Sequence, residues 1–308
     1  RDNAEQIRHI VTQRTATVIF SNPAEGSETF VQHLRLYGVE DLVLSGLLPV
    51  ITGGPLPAQY PHMLYEHFLT QPFKFEENHA AVQRTPEIFT QHPKPYTFLC
   101  LNGRSRPHRR QLLNSLELHG LLDRALWTNL DSHLRPIRLL PPEYEVTRYH
   151  QPVADSGFVK YELFNNEWGE IYLEPQAYID TYFSLVTETT FDYPESWCTE
   201  KIAKPLAIGH PWIAVSASGF YRNMKNAGFQ TFGHLIDESF DGIDNPTDRC
   251  ARIVAVVEDL CAQDLKSFIS AANDVCIHNQ QHLRSMNGSF DRVFLNQFLE
   301  YLKENFQL

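Results

Sequence analysis

At 308 residues, with 43% hydrophobic and 20% charged residues, the chain has length and apolar content for one large or two medium globular cores. A formal net charge of −11 speaks against a protein coated for nucleic acid, and no run reaches the roughly 18 apolar residues of a membrane span. Five scattered cysteines without a CxxC pair read as buried, reduced thiols of a cytoplasmic protein, not as a disulfide frame or a zinc site.

The opening "RDNAEQIRHI" holds no apolar stretch of the signal-peptide kind. Residues 15–23, "TATVIFSNP", read as a buried strand entering a loop, and 27–38 as a helix. "DLVLSGLLPV" (41–50) reads as a second strand, stopped by "TGGP" at 52–55. A less regular stretch follows, up to "TQHPKPY" (90–96), whose two prolines mark a linker. The pattern then restarts with a strand at 96–103, a helix at 106–125 and a strand at 125–130. Residues 169–189 hold a helix-like turn and the strand "YFSLVTET". "TEKIAKPLAIGHPWIAV" (199–215) is a helix, a break and a strand, and 218–232 is helical until Gly228. Helices fill the remainder. Asn245-Pro246 supplies the cap and first turn of a helix over 246–262, whose Ile253, Val254, Val257 and Leu260 form one apolar face.

Strands alternating with helices predict α/β layering with largely parallel sheets. The restart near residue 94 predicts two Rossmann-like α/β/α units facing a cleft: 1–93 for an acceptor, 94–290 for a nucleotide, and a terminal helix, 291–308, packing back on the first. In such sheets ligands sit beyond the C-terminal strand ends.

Charge is uneven along the chain. Between Tyr96 and His150 there are eight arginines, no lysine and five acids, and four of the arginines crowd into "GRSRPHRR". Conversely, 236–248 carries five acids and no base. The strand at 96–103 runs into Asn102-Gly103, and Arg104, Arg106 and Arg109 follow in the loop and first helical turn. Helix-start N–H groups attract anions and guanidinium forks match phosphate oxygens, so this is a candidate diphosphate site; the plain alternative is a solvated basic helix start. No GxGxxG or Walker lysine occurs, so neither NAD binding nor ATP hydrolysis is indicated.

Glu188 closes a strand, a polar loop follows, and Thr199 can cap the helix that carries Glu200 and Lys201. A glutamate there can accept both hydroxyls of a ribose, and the lysine beside it can reach a phosphate. The plain alternative is that Glu200 only favours a helix N-terminus. Pro205 removes one hydrogen bond from the same helix and predicts a bend.

"FSLVTET" followed by "TEKIAKPLAIGHPWIAV" resembles the donor-binding signature of the α1,3-fucosyltransferases and related GT-B glycosyltransferases. "FLCLNGRSRPHRRQLLNSL" is similar to the strand, loop and arginine-led helix that open that family's nucleotide domain. The resemblance covers residues 96–235 and is strongest at 183–215. It implies ribose binding by Glu200, phosphate contact by Lys201, approach of Arg104, Arg106 or Arg109 to the diphosphate, and Glu188 lining the donor sugar. The family's asparagine after that glutamate is Thr189 here, so the resemblance does not specify the sugar.

No D-x-D triplet occurs, and a lysine–arginine site can neutralise a leaving diphosphate without a metal. The 14 histidines form no HExxH, His210 reads as a loop residue, and no GxSxG elbow supports hydrolysis. An inverting transfer needs a carboxylate base near the acceptor. Glu25, in the loop "NPAEGSE", is the candidate, with Glu28 and Asp41 competing. The expected activity is transfer of a sugar from a nucleotide-diphosphate sugar to a hydroxyl acceptor, without metal or further cofactor. Two alternatives remain open: a DNA-base glycosyltransferase, marked by steeply salt-dependent DNA binding, and a catalytically inactive nucleotide-sugar-binding protein.

Overall fold

The computed structural model describes residues 2–13, 18–22, 28–54, 56–65, 69, 84–103, 105–130, 136, 138, 140–141, 144, 173, 175–193, 196–286 and 290–306. It is a mixed α/β structure with two separate parallel sheets and, among the described residues, twelve α-helices.

The first sheet holds β1 (Phe20–Asn22), β2 (Val50–Thr52) and β3 (Met63–Leu64), in that order and all parallel. Around it run α1 (Asp2–Thr12), α2 (Glu28–Leu36) and α3 (Glu40–Leu44). Phe30, Leu34, Val39, Leu42, Val43 and Val50 belong to its core. The structure corrects the strand expected over 41–50: its first half is α3, and the strand begins only at Val50. A short apolar run does not distinguish a strand from one helical turn. Here Gly46, at φ 68°, ends the turn in the left-handed region that suits glycine.

The second sheet is built from β4 (Tyr96–Cys100), β5 (Leu126–Trp127), β6 (Thr181–Thr187) and β7 (Trp212–Val215). Its order is β5-β4-β6-β7, all parallel. Ahead of it lies α4 (Thr85–Thr90), whose Ile88 joins this second core together with Leu69. The helix after β4, α5 (Pro107–Leu118), is shorter than expected because Gly120, at φ 68°, and a 3-10 turn at Leu122–Arg124 follow it. The short α6 (Pro175–Ile179) precedes β6, and α7 (Glu200–Ile208) joins β6 to β7. The chain steps one way from β4 to β5 and the other way from β6 to β7, so right-handed crossovers put α5 and α7 on opposite faces. All seven residues of β6 are therefore buried, as a strand covered on both sides requires.

α8 (Phe220–Asn226), α9 (Pro246–Cys261), α10 (Leu265–Ala271) and α11 (Asn273–Met286) complete the layers, with α9 against α5 and α11 against α7. Asn245 caps α9 by accepting from the N–H groups of Thr247 and Asp248, and Ile253, Val254, Val257 and Leu260 are buried as their spacing predicts. The last helix, α12 (Phe290–Phe306), returns to the first sheet's side, where the Tyr301 hydroxyl lies 3.5 Å from the Pro61 carbonyl. All five cysteines are buried thiols. No helix among the described residues is long and apolar enough to cross a membrane.

Candidate functional site

In a doubly wound sheet the crevice opens where strand order reverses, beyond the C-terminal strand ends. In this sheet that point lies between β4 and β6, because the chain goes outward from β4 to β5 and outward again from β6 to β7. Asn102 follows β4 and Glu188 follows β6, so the sequence-predicted residues of both segments converge there.

Asn102 is buried and turned into the sheet. Its side-chain oxygen accepts from the Thr187 hydroxyl at 2.8 Å, and its amide approaches the Cys100 sulfur at 3.3 Å, so it ties β4 to β6 beneath the crevice. Arg109 is also buried. It donates to the carbonyls of Thr187 and Glu188 at 2.9 and 3.2 Å, closing the end of β6. Burial, with the nearby Arg106 charge, pulls its pKa down to about 10, so it remains a guanidinium at neutral pH. Arg106 is half-buried at the start of α5 and makes no side-chain hydrogen bond among the described residues. Of the two described arginines among the three expected phosphate contacts, it is the one whose side chain is not bound to the carbonyls that end β6. Arg104 lies outside the described residues.

Glu188 is fully buried. Its carboxylate accepts from the backbone N–H groups of Thr189 (3.2 Å), Thr199 (3.3 Å) and Ile202 (3.3 Å), and from the Thr199 hydroxyl. The side chain that the resemblance sets beside the donor sugar satisfies orphan donors at the start of α7. Burial raises its pKa, against the opposing pull of Lys201. Thr199 has the extended backbone of a cap residue, and its hydroxyl accepts from the Lys201 N–H at 3.3 Å.

Glu200 and Lys201 sit above this anchor with side chains 18% and 26% exposed, within reach of a ligand. They hold each other, Nζ to Oε1 at 2.5 Å, and the same ammonium reaches the hydroxyls of Thr189 and Thr199 at 3.3 Å. Burial alone would push the Glu200 pKa up, but the Lys201 and Lys204 charges outweigh it and leave the group below its ordinary value. The helix runs through Pro205 to Ile208, and its last carbonyls are met by Gln280, donating to Ala207 O at 2.8 Å, and by Thr85, donating to Ile208 O at 3.0 Å.

Three residues not singled out from the sequence complete the walls. His108 donates through Nε2 to the Glu188 carbonyl at 3.0 Å and stacks on Phe191, centroids 5.1 Å apart. Burial and the flanking Arg109 charge pull its pKa down to about 3, so it is a neutral imidazole. Arg249 covers the same ring, its guanidinium carbon 4.4 Å from the Phe191 centroid. It donates to the carbonyls of Phe191, Ser216 (3.1 Å), Ile243 (2.5 Å) and Asp244 (3.0 Å), joining the loops after β6 and β7. One sign of Arg249 was in the sequence: it lies four residues before Ile253, on the face of α9 that turns inward.

His210 lies in the loop after α7, as its Gly-His-Pro setting predicts, and is buried between Ser184 Oγ (2.9 Å from Nδ1) and the Thr181 carbonyl (3.0 Å from Nε2). Glu25 lies outside the described residues, and Glu28 begins α2. Asp41 is bound to Arg8 at 2.8 Å on the first unit, and that hydrogen bond holds its pKa down. Gly54, just after β2, comes so close to Trp197, ahead of the Thr199 cap, that an added Cβ would lie 3.1 Å from three of its side-chain atoms. Among the described residues no group of three or more metal-ligating side chains converges. No protein-family model, curated protein or solved structure matches the chain.

Proposed function

We propose that the protein is a glycosyltransferase that binds a nucleotide-diphosphate sugar in the crevice between β4 and β6, with the two units in a GT-B-like arrangement. The observation that carries this reading is the β5-β4-β6-β7 order, whose reversal point gathers Arg106, Glu200 and Lys201. Two contacts support the two-unit arrangement: Gly54 on Trp197, and Tyr301 of α12 beside Pro61.

In this reading the Glu200–Lys201 pair is the resting form of the donor site. A ribose takes the carboxylate and a phosphate takes the ammonium, so binding exchanges one ion pair for two charge-assisted contacts. Arg106 adds a second cation, and both act most strongly when charge builds on the departing diphosphate. Glu188, His108 and Arg109 serve as the rigid base that aims α7 at the ligand.

Calorimetric titration with UDP-, GDP- and dTDP-sugars tests this directly. Glu200→Ala should weaken donor binding by about 1.5–3 kcal/mol, the range for a hydrogen bond to a charged group. Lys201→Ala should weaken it too and slow turnover besides. Wild-type donor affinity in both folded variants would sink the assignment. Binding without turnover on any acceptor would leave only a nucleotide-sugar-binding protein.

A further inference from the structure

A second cavity, of about 330 Å³, lies at the other end of the same sheet, against the starts of β4 and β6. Lys94, Tyr96, Arg124, Tyr182, Asp264 and Lys266 are among its lining residues. Of its three cations Lys94 is the buried one, with 7% of its surface exposed; Arg124 and Lys266 stand at the exposed margin.

The nearby acids are already occupied by other donors. Asp264 caps α10, accepting from the Lys266 N–H at 3.2 Å and the Ser267 hydroxyl at 2.5 Å. Asp180, behind Lys94, accepts from the Tyr144 hydroxyl at 2.7 Å and the Gln176 amide at 2.9 Å. Among the described residues none of Lys94, Arg124 and Lys266 is in an ion pair, whereas Arg8, Arg35, Lys201, Lys225 and Arg252 each are. Three cations around one cavity, facing the Asp264 carboxylate and with Asp180 behind Lys94 but none of them in a direct ion pair, are a local exception in a chain of net charge −11.

Lys94 shows what is missing there. Its ammonium donates to the Ile179 carbonyl and lies 5.8 Å from the Tyr182 ring centroid. One carbonyl and one ring face leave other N–H donors of a three-donor group to be met, in a place where water is largely excluded. Burial pulls its pKa down to about 8, partly countered by Asp180. A desolvated cation of this kind gains most from an anion.

We propose that this cavity binds a small phosphate-bearing metabolite of sugar-phosphate size, at a site separate from the crevice. Lys94 meets the phosphate from the floor, Arg124 and Lys266 close on it from the margin, and Tyr96 and Tyr182 cover the carbon skeleton. The volume is at the lower end for ligand pockets, which fits a phosphorylated monosaccharide.

The test uses the full chain carrying Arg106→Ala and Lys201→Ala, so that both cations assigned to the donor phosphates are removed from the crevice. Calorimetric titration at pH 7 compares glucose 6-phosphate, inorganic phosphate and glucose. Saturable binding of glucose 6-phosphate, tighter than inorganic phosphate and absent for glucose, is expected. Adding Arg124→Ala and Lys266→Ala, both surface changes, should weaken it at least tenfold. UDP binding to a chain with only those two changes should stay at the wild-type value, which keeps this site distinct from the donor reading. Absence of saturable binding, insensitivity to the double change, or equal affinity for inorganic phosphate would overturn the proposal.

Discussion

Replacing Glu188 by alanine removes the acceptor that holds the start of α7. Three backbone donors lose their carboxylate partner, Thr189 N–H at a half-buried position and Thr199 N–H and Ile202 N–H at buried ones, and the Thr199 hydroxyl loses it too. A buried donor left unmet costs about 1–3 kcal/mol, so the two buried backbone groups together set a range of about 2–6 kcal/mol, the half-buried Thr189 N–H being able to turn to water. Their 3.3 Å separations place the expected loss in the lower half, about 2–4 kcal/mol. Glu188→Gln keeps one acceptor oxygen but turns an amide donor toward other donors, so a smaller loss of about 1–2 kcal/mol is expected. Urea unfolding followed by tryptophan fluorescence gives the free-energy change, provided the slope with denaturant is unchanged. Hydrogen exchange at the Thr199 and Ile202 amides locates it, because these should exchange faster in the alanine variant before the rest of α7 does. If Glu188→Ala unfolds within about 0.5 kcal/mol of wild type with both amides still protected, the carboxylate is not the anchor of this helix.

Stability should fall on acidification from pH 6.5, because His108 and His210 are neutral in the fold with pKa values of about 3 while the unfolded chain protonates near 6.5. The unfolded state then binds more protons: stability is full above 6.5 and by pH 5.5 has dropped by about 1.4 kcal/mol per histidine. Glu188, with its raised pKa, acts in the opposite direction, so the test is the slope between pH 6.5 and 5.5 in wild type against His210→Gln. An unchanged slope would refute the assignment. A Cβ on Gly54 would lie 3.1 Å from three Trp197 atoms, so Gly54→Val should cost about 1–3 kcal/mol by overpacking and shift the tryptophan emission. Wild-type stability and emission would show that the two units do not rest on this contact.

Features encoded by neighbours in sequence were legible without coordinates. The Thr199 and Asn245 caps, the inward stripe of α9 and the strand restart at Tyr96 each follow from periodicity or cap chemistry over a few residues. The parallel α/β class followed from their alternation. The run over 41–50 was misread because two apolar neighbours, Leu42 and Val43, are buried equally well on a single helical turn. What a polar side chain does at the site was a different matter. Arg109 and Glu188 stand 79 positions apart, and only the pairing of β4 with β6 sets the guanidinium against the carbonyls that end β6. Asn102 was expected at the phosphate loop, and the resemblance implied that Glu188 lines the donor sugar. Only the tertiary structure shows the hydrogen bonds that both side chains make within the protein, where buried backbone donors and hydroxyls close by must be met. Arg106, Glu200 and Lys201 remain reachable from the crevice because no such internal demand takes up all of their polar groups.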